Sequence, residues 1–478
     1  MPSERPNILI VMPDELRADA TGYAGHPVYR TPHVDRLARE GVAFGGVYCT
    51  APLCMPARAS MLSGTYPHNH HIQDNAGHLP VEDESYARLL QESGYATAYI
   101  GKTHFGSDRP GRDLIGQEAD VMRRGFDYVH QIPGPMALAK TRSHLSRRWE
   151  ELGLLERYRE DYRRRAADPG AGAWASPLPL EEFPDSYIGA RAESWLRGYA
   201  GSAPFLLIVG FGGPHPPFDA PEPYASRYRP EDLPAPIPPG EPGDWLPEHV
   251  RARLAAGHGT RDGREPARPA AAGQRIARER MASYGGKLAL IDDRLGRLLA
   301  VLDERDWTAN TLVIFLSDHG EMGGDHGRYH KSVFYESAAR IPFVMRWPAA
   351  LPAGERVGAL VEQLDLFATV VDAAGLPPSG RSFARSLLPL ARGQGAAPPA
   401  GAARDAVFSE LKREIMVRTA AHKYVLDAQG RGFQLFDLAA DPQERNNLVG
   451  HPDYGAVERD LRERVLTWLV TTQVVGAD

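Results

Sequence analysis

The chain has 478 residues, of which 42% are hydrophobic, and a formal net charge of −6. This length and composition are enough to bury a large core and indicate two or three domains, while the slightly acidic balance disfavours nucleic acid or an acidic membrane surface as a partner. No apolar run reaches the roughly 18 residues of a transmembrane helix, so no membrane span is predicted.

The amino-terminal residues lack a basic region followed by an apolar stretch and a small-residue cleavage site, so no secretory signal is expected. The two cysteines, Cys49 and Cys54, cannot build a disulfide framework and could close at most one short loop. We therefore expect a cytoplasmic protein whose two thiols are reduced before any modification.

Three apolar runs rich in β-branched residues predict strands buried on both faces: Asn7 to Met12, Phe205 to Phe211 and Thr311 to Leu316. Helical patterns lie between them, at Ser85 to Ser93, Ser186 to Arg197 and Tyr284 to Arg305. This alternation predicts an α/β fold with largely parallel strands. Each strand runs into a polar cluster, and ligands of such sheets bind outside the carboxyl ends of the strands.

Two segments are predicted to be insertions. Residues 134 to 180 are rich in Arg and Glu and are predicted to be partly helical, whereas residues 229 to 274 carry many Pro, Gly and Arg and are predicted to form a long irregular loop. The Gly/Ala/Pro-rich stretch from Ala391 to Arg404 is predicted to be a linker.

Strand-like pieces follow the linker at 406–408, 415–418, 423–426 and 434–437, and a helical pattern runs from about Ala456 to Thr472. They predict a small antiparallel sheet with one helix. We therefore divide the chain into a large amino-terminal domain, residues 1–395, and a carboxy-terminal α+β subdomain, residues 400–478.

One short motif, Cys54-Met55-Pro56-Ala57-Arg58, lies in a Pro-rich turn that leads into a helix-like run, Ala59 to Leu62. A cysteine four residues before an arginine, in a chain with only two cysteines, invites a chemical explanation. The alternative is a small buried hydrophobic residue, which is what most free cysteines are.

Metal-binding residue types follow two of the predicted strands. Asp14 follows the first strand, and Asp318 and His319 follow the third. Carboxylate oxygens suit hard divalent cations, and an imidazole tilts a site toward transition metals. A capping Asp beside a surface His would explain the Asp318-His319 pair alone, but it does not explain Asp14 on another strand of the same sheet.

Three further side chains are candidates for handling an anion or a proton. Lys102, in Gly101-Lys102-Thr103-His104, can approach an anion as a point charge, with a solvated lysine as the alternative. Lys331 could be a second cation for the same anion. His215 is the main polar group of the proline-rich loop Pro214 to Pro217 and suits a general acid, with a structural histidine as the alternative.

Eight blocks of the chain resemble, in order, the sulfatases of the alkaline-phosphatase-like superfamily. They are Asn7 to Gly22, Thr31 to Gly41, Cys54 to His68, Gly101 to Phe105, Pro214 to Phe218, Ser317 to Glu321, Lys331 to Pro342 and Leu435 to Leu448. The resemblance implies a large mixed, mostly parallel sheet sandwiched by helices, with a small carboxy-terminal antiparallel sheet plus a helix. It also implies a sulfuric ester hydrolase, similar to arylsulfatases, that acts on a small-molecule sulfate ester.

The resemblance implies roles for the residues around the nucleophile. A formylglycine-generating maturation enzyme would convert Cys54 to formylglycine, whose hydrate attacks sulfur, and Arg58 would stabilise that hydrate. His104 would hydrogen-bond the second hydroxyl or act as a base. His215 would protonate or hydrogen-bond the leaving oxygen.

The same resemblance implies the groups that bind sulfate and metal. Lys102 and Lys331 would bind the other sulfate oxygens and offset charge in the transition state, with His215 also contacting the substrate. One divalent metal would be held by four residues, which are Asp14, Asp318, His319 and the modified Cys54.

Three positions bear on the metal and on the branch of the family. Many sulfatases have Asp-Asp where this chain has Asp14-Glu15, so Glu15 either reaches the metal or points away. His319 stands where many calcium-dependent members have Asn, and the Asp-His pair resembles choline-sulfatase-like and phosphonate-monoester-hydrolase-like members, the latter often using manganese. We therefore expect Ca²⁺, with Mn²⁺ as the alternative. Asn75 resembles the asparagine with which the choline-sulfatase branch contacts sulfate.

The preferred interpretation is a cytoplasmic, formylglycine-dependent sulfatase with one divalent metal. The alternative is a phosphonate monoester or phosphodiester hydrolase with the same nucleophile, because sulfate monoesters and phosphodiesters both carry one negative charge. A catalytically inactive binding protein would have lost several cationic or metal positions, and all of them are present. A homo-oligomer stays open.

Overall fold

The computed structural model describes residues 5–81, 83–106, 111–167, 173–240, 246–252, 270–393 and 403–473, with backbone only for 270–272. Its main sheet has eight strands, which are β1 (Asn7–Asp14), β2 (Val42–Tyr48), β3 (Ala96–Gly101), β4 (Tyr128–Gln131), β5 (Phe205–Pro214), β6 (Thr311–Leu316), β7 (Phe343–Arg346) and β8 (Glu355–Glu362). They are ordered β4-β3-β5-β1-β6-β7-β2-β8. Only β7 among these strands runs antiparallel to its neighbours, which confirms a mixed, mostly parallel sheet.

Strand β1 lies at the centre because its residues are apolar on both faces. Ile8 and Ile10 pack into one hydrophobic core, and Leu9 and Val11 pack into the other. Strands β5 and β6 pair with β1 on either side, both parallel to it. The three apolar runs of the sequence are therefore the three central strands, and their carboxyl ends meet at one edge of the sheet.

Helices cover both faces of this sheet. The described helices are α1 (Pro32–Glu40), α2 (Cys54–Ser63), α3 (Pro67–His70), α4 (Tyr86–Glu92), α5 (Glu118–Met122), α6 (His144–Glu151), α7 (Leu155–Ala167), α8 (Pro184–Gly198), α9 (Ala270–Glu304), α10 (Glu336–Ala339), α11 (Asp365–Ala373), α12 (Leu388–Ala391) and α13 (Gly455–Thr471). Residues of α2, α4 and α11 contribute to one core, and residues of α1, α8 and α9 contribute to the other. Within the described residues, no helix is both long and apolar enough to cross a membrane.

A second sheet of four antiparallel strands follows, which are β9 (Ala406–Leu411), β10 (Glu414–Thr419), β11 (His422–Leu426) and β12 (Gly432–Asp437), in the order β12-β11-β10-β9. Helix α13 packs on it through Leu461, Val465 and Trp468. The predicted carboxy-terminal sheet with one helix is therefore confirmed. The proposed domain boundary between 395 and 400 lies outside the described residues and stays a prediction.

The two insertions differ in outcome. Helices α6 and α7 confirm the partly helical character of residues 134 to 180. Residues 229 to 274 were expected to be irregular throughout, but α9 already begins at Ala270, so that boundary is wrong by a few residues. The last proline of the segment is Pro269, and the three alanines behind it favour a helix. Residues 241–245 and 253–269 lie outside the described part of the chain.

Candidate active site

The ends of the three central strands are tied together by hydrogen bonds. Asp14 is the last residue of β1, and its carbonyl oxygen accepts a hydrogen bond from His215 N, just beyond β5, at 3.2 Å. The Glu15 amide donates to Asp318 Oδ1, just beyond β6, at 2.9 Å. Parallel strands place their carboxyl ends side by side, so residues some 200 and 300 positions apart meet here as the sequence predicted.

Cys54 is the first residue of α2, a helix whose ten residues are all buried. The sequence pattern suggested a helix from Ala59, and the structure begins it five residues earlier. The helix amino terminus points partial positive charge at the sulfur. Asn75 Oδ1 accepts a hydrogen bond from the Met55 amide at 3.0 Å, so the predicted sulfate-contacting asparagine lies beside the nucleophile position.

His319 faces Cys54 directly. Its Nε2 atom is 3.0 Å from Cys54 Sγ, and its Nδ1 atom is 2.9 Å from the carbonyl oxygen of Gly320. A carbonyl can only accept, so Nδ1 carries the proton and donates to it. Nε2 is therefore the ring nitrogen that faces the cluster and that would bind a metal there.

The charges around Cys54 favour the ionised, thiolate form of its side chain. Burial raises the pKa of its thiol, but the positive charges of Lys102, Lys331 and His319 outweigh burial and hold the pKa well below its usual value. A hydrogen bond from His104 acts in the same direction. The five candidates thus surround one point, although 277 residues separate Cys54 from Lys331 in sequence.

Four residues form a cluster that fits a divalent cation. One ligand atom from each of Asp14, Cys54, Asp318 and His319 lies within 4.8 Å of the others. Asp14 is fully buried, and its Oδ1 has no hydrogen-bond partner among the described residues. A bare buried carboxylate oxygen is costly unless it is paired or coordinates a metal. The donor set, two carboxylates with one imidazole and one further atom, therefore fits the predicted cation.

Arg58 contacts two residues of this cluster and lies one turn of α2 after Cys54. Its Nε donates to Asp318 Oδ2 at 2.8 Å, and its Nη1 donates to the Lys102 carbonyl oxygen at 2.7 Å. Its Nη2 is 3.8 Å from Asp14 Oδ1. Arg58 thus fixes the carboxylate of Asp318, a candidate metal ligand, and the backbone that carries Lys102, whose ammonium group contacts Asp14.

Glu15 lies outside the four-residue cluster. Its Oε2 is 2.5 Å from Lys331 Nζ and 3.2 Å from His215 Nε2, and it groups with Glu321 and His330. Burial raises the pKa of Glu15 well above its usual value; Lys331 opposes this and Glu321 adds to it. The carboxylate of Glu15 thus faces the Lys331 ammonium group and the His215 ring rather than the four-residue cluster. A role for Glu15 in metal binding stays a prediction.

Several loops of the site hold strained backbone. Glu15, His104, His330 and Ser332 have positive φ values of 66°, 55°, 68° and 72°. Such values are uncommon outside glycine and tend to concentrate where function fixes the geometry. His104 is also nine-tenths buried, and its Nδ1 lacks a hydrogen-bond partner within the described chain.

The sequence interpretation missed Gln363. This fully buried side chain donates from Nε2 to the carbonyl oxygens of Ser317 and Asp318, both at 2.7 Å, and so fixes the turn that carries two metal candidates. A signal was present, because the polar pair Glu362-Gln363 ends the apolar run of β8 just as Asp14 ends β1.

Comparisons with known proteins agree with this geometry. The family model "Sulfatase" matches residues 6–376, and the model "N-sulphoglucosamine sulphohydrolase, C-terminal" matches residues 324–470. The multifunctional alkaline phosphatase superfamily protein PehA of Trinickia caryophylli is 31% identical, over 97% of this chain and 95% of that protein. An arylsulfatase of Clostridium perfringens is 28% identical, over 94% and 91%.

Solved structures give the same result. The crystal structure of a phosphonate monoester hydrolase of Agrobacterium radiobacter superposes with a TM-score of 0.77 and 26% identity, over 98% of this chain and 96% of that one. The alkaline-phosphatase-like architecture is thus common to both proteins.

Proposed function

The chain belongs to the sulfatase family, and we propose that its sulfuric ester hydrolase activity uses a formylglycine formed from Cys54 as the nucleophile. The observation that carries the proposal is the position of Cys54. It lies at the amino terminus of a buried helix, 3.0 Å from His319, and two lysines and His319 stabilise negative charge on its side chain. A structural cysteine in an apolar core would have the opposite environment, as Cys49 does, whose pKa burial raises.

Two groups supply chemistry beyond that of the unmodified side chains. A hydrated formylglycine would supply two hydroxyls, one for the attack on sulfur that releases the alcohol and one for the release of sulfate that restores the aldehyde. Asp14, Asp318 and His319 would hold a divalent cation, which would supply Lewis acidity at the site.

The remaining residues bind, orient and move protons. Lys102 and Lys331 are buried cations near the nucleophile position and stabilise the charge that builds on the sulfate oxygens. Arg58 holds Asp318 in place. His104 contacts the nucleophile position and suits the base that deprotonates a hydroxyl there.

His215 suits the group that hands a proton to the leaving oxygen. Its Nδ1 donates to the Pro216 carbonyl oxygen at 2.6 Å, so Nε2 is the nitrogen that faces the site. Burial, with Lys331, lowers its pKa to about 3, so the free ring is neutral. An anionic ester beside the ring raises that pKa, which is the condition for proton donation.

Mass spectrometry and one variant test the nucleophile. Intact protein purified from a host with a maturation enzyme should show the loss of sulfur from Cys54, and Cys54→Ala should abolish turnover of nitrophenyl sulfate while leaving the unfolding temperature unchanged. Full activity of protein that carries only unmodified thiol would refute the formylglycine.

A second candidate function is hydrolysis of phosphonate monoesters or phosphodiesters. It is favoured by the structural match to a phosphonate monoester hydrolase and by the Asp318-His319 pair. A panel of nitrophenyl sulfate, phosphodiester and phosphonate esters separates the two. A sulfate that is by far the poorest substrate would reverse our ranking.

We also propose that the protein works in the cytoplasm, where Cys49 and Cys54 stay unpaired as they are in the structure. Fractionation of the native host tests this location, and recovery from a secreted fraction would contradict it.

A further inference from the structure

The loop that presents His215, residues 213–218 and called here the His215 loop, has few hydrogen-bond donors of its own. Pro214, Pro216 and Pro217 lack an N–H group, so the loop cannot hold itself by ordinary backbone pairing. We propose that Lys287 is a positioning residue for His215. Lys287 fixes this loop so that the His215 imidazole meets the leaving oxygen. The inference rests on the proposed function and on the acid role of His215 within it.

Lys287 reaches the loop from helix α9. Its Nζ donates to the carbonyl oxygens of His215 and Pro217, at 2.7 and 3.1 Å, and to Asp219 Oδ1 at 3.2 Å. These three bonds use all three donors of the ammonium group. The carbonyl between them, that of Pro216, accepts from the His215 ring itself. The orientation of the ring is therefore tied to a backbone that Lys287 holds on both sides.

A second buried group holds the start of the loop. Asp185, on α8, accepts hydrogen bonds at Oδ1 from the amides of Gly212 and Gly213, at 2.9 and 3.0 Å. A Cβ on Gly213 would lie 2.4 Å from Asp185 Oδ2 and 3.2 Å from Lys287 Cε. Side chains from two helices thus hold the loop, and a side chain at position 213 would displace the Asp185 carboxylate that holds its start.

A charge at this position is not what packing alone would select. Lys287 and Asp219 are almost fully buried. A buried ion pair often contributes no more stability than apolar side chains of similar volume. What the ammonium group adds is geometry, because a single nitrogen fixes two carbonyls and a carboxylate at hydrogen-bond distance, which an apolar side chain cannot do.

The test measures how turnover depends on the leaving group. Lys287→Met should lower kcat/KM for alkyl sulfates, whose leaving oxygens need a proton, by about 10- to 100-fold. For nitrophenyl sulfate, whose leaving group is stable as an anion, the change should stay within about threefold. Lys412→Met, at an exposed lysine, is the matched control and should change neither substrate.

A double variant separates positioning from general damage. If Lys287 acts through His215, then adding Lys287→Met to His215→Ala should cause no further loss on alkyl sulfates. An equal loss on both substrate classes, or a full additional loss in the His215→Ala background, would overturn the proposal. The wild-type assay stands apart from these results, since a wild-type protein inactive on every sulfate refutes the proposed function instead.

Folding is checked by thermal unfolding of each variant. If Lys287→Met does not fold, Lys287→Arg carries the same test, because it keeps the charge but cannot place one nitrogen among the three acceptors. The leaving-group dependence is again the expected result. An Lys287→Arg enzyme with wild-type rates on alkyl sulfates would overturn the proposal.

Discussion

Replacing Lys423 by methionine removes the ammonium group that joins the carboxy-terminal sheet to the catalytic domain. Lys423, on β11, is fully buried. Its Nζ donates to the carbonyl oxygen of Phe334 at 2.9 Å and to Glu444 Oε1 at 2.7 Å, and it lies 2.6 Å from Glu336 Oε1. Phe334 follows Lys331 by three residues, so Lys423 supports a loop of the candidate active site.

The magnitude follows from what the variant leaves behind. Removing one partner of a buried ion pair costs about 3–5 kcal/mol, because the other charge stays buried. Each carboxylate here keeps one neutral donor: Tyr48 donates to Glu336 Oε2 at 2.8 Å, and the Glu336 amide donates to Glu444 Oε2 at 2.7 Å. We therefore expect the lower end, a loss of about 3 kcal/mol in the free energy of unfolding.

The loss should grow with pH. Burial raises the pKa of Glu444 to about 7, above its unfolded value of 4.5, and Lys423 opposes that rise. A carboxyl group with a raised folded pKa stabilises the fold below its unfolded pKa and loses that contribution as pH rises through the folded pKa. Without Lys423 the pKa of Glu444 rises further. In the wild type the stabilisation by protonated Glu444 is nearly gone at pH 7, whereas in Lys423→Met it continues to fall above pH 7. The difference in the free energy of unfolding between the two proteins therefore grows with pH.

Urea unfolding at about pH 6 and about pH 9 measures both effects. The difference between wild type and Lys423→Met should be larger at the higher pH, and Glu444→Gln in the same background should remove much of this dependence. Lys412→Met is the control, for which the change should stay within about 0.5 kcal/mol. A loss below about 1 kcal/mol, or one that is equal at both pH values, would refute the reasoning.

Three other changes test the site. Gly101→Ala should destabilise the protein and impair turnover, because Gly101 has a φ of 105° and a Cβ there would lie 2.0 Å from the Gly210 carbonyl oxygen. The control is Gly94→Ala, at a φ of 94° in open space, which should cost only about 1–2 kcal/mol of strain in a thermal unfolding assay. Gln363→Leu should leave the carbonyl oxygens of Ser317 and Asp318 without this donor, which should lower the free energy of unfolding by about 1–3 kcal/mol. It should also weaken metal binding measured by calorimetry, and unchanged binding would contradict the proposed support of the metal-binding turn by Gln363. Treatment with a chelator should abolish hydrolysis of nitrophenyl sulfate, and the better recovery with Ca²⁺ or Mn²⁺ would identify the metal, while activity that survives metal removal would contradict the metal site.

The sequence predicted the centre of the fold better than its edges. Residues 7–12, 205–211 and 311–316 are apolar on both faces, which only a central strand needs, and the structure makes them neighbours. Strand β8 has an exposed first half, and β7 has only four residues. Neither was predicted as a strand from the sequence, because edge and short strands depend on their partners more than on their own residues.

The candidate site divides in the same way. Asp14, Asp318 and His319 were found because polar residues that end buried strands collect at one edge. Gln363 and Lys287 were not assigned a role. Gln363 lies 45 residues from the Asp318 carbonyl that it binds, and Lys287 lies 72 residues from His215. Such long-range contacts depend on how helices and strand ends pack, which no local pattern records.

The sequence by itself indicated the candidate residues, because the motif puts Arg58 four residues after Cys54 and the strand patterns place the acidic residues at one edge of the sheet. That Cys54 begins a buried helix was decided by the tertiary structure. Tertiary structure decided the direction of each side chain. It turned Glu15 toward Lys331 and His215, and it placed Lys287 under the proline-rich loop. The physical reason is that a buried charge takes whichever partner the packing brings within hydrogen-bond distance, and that choice is made only when the elements come together.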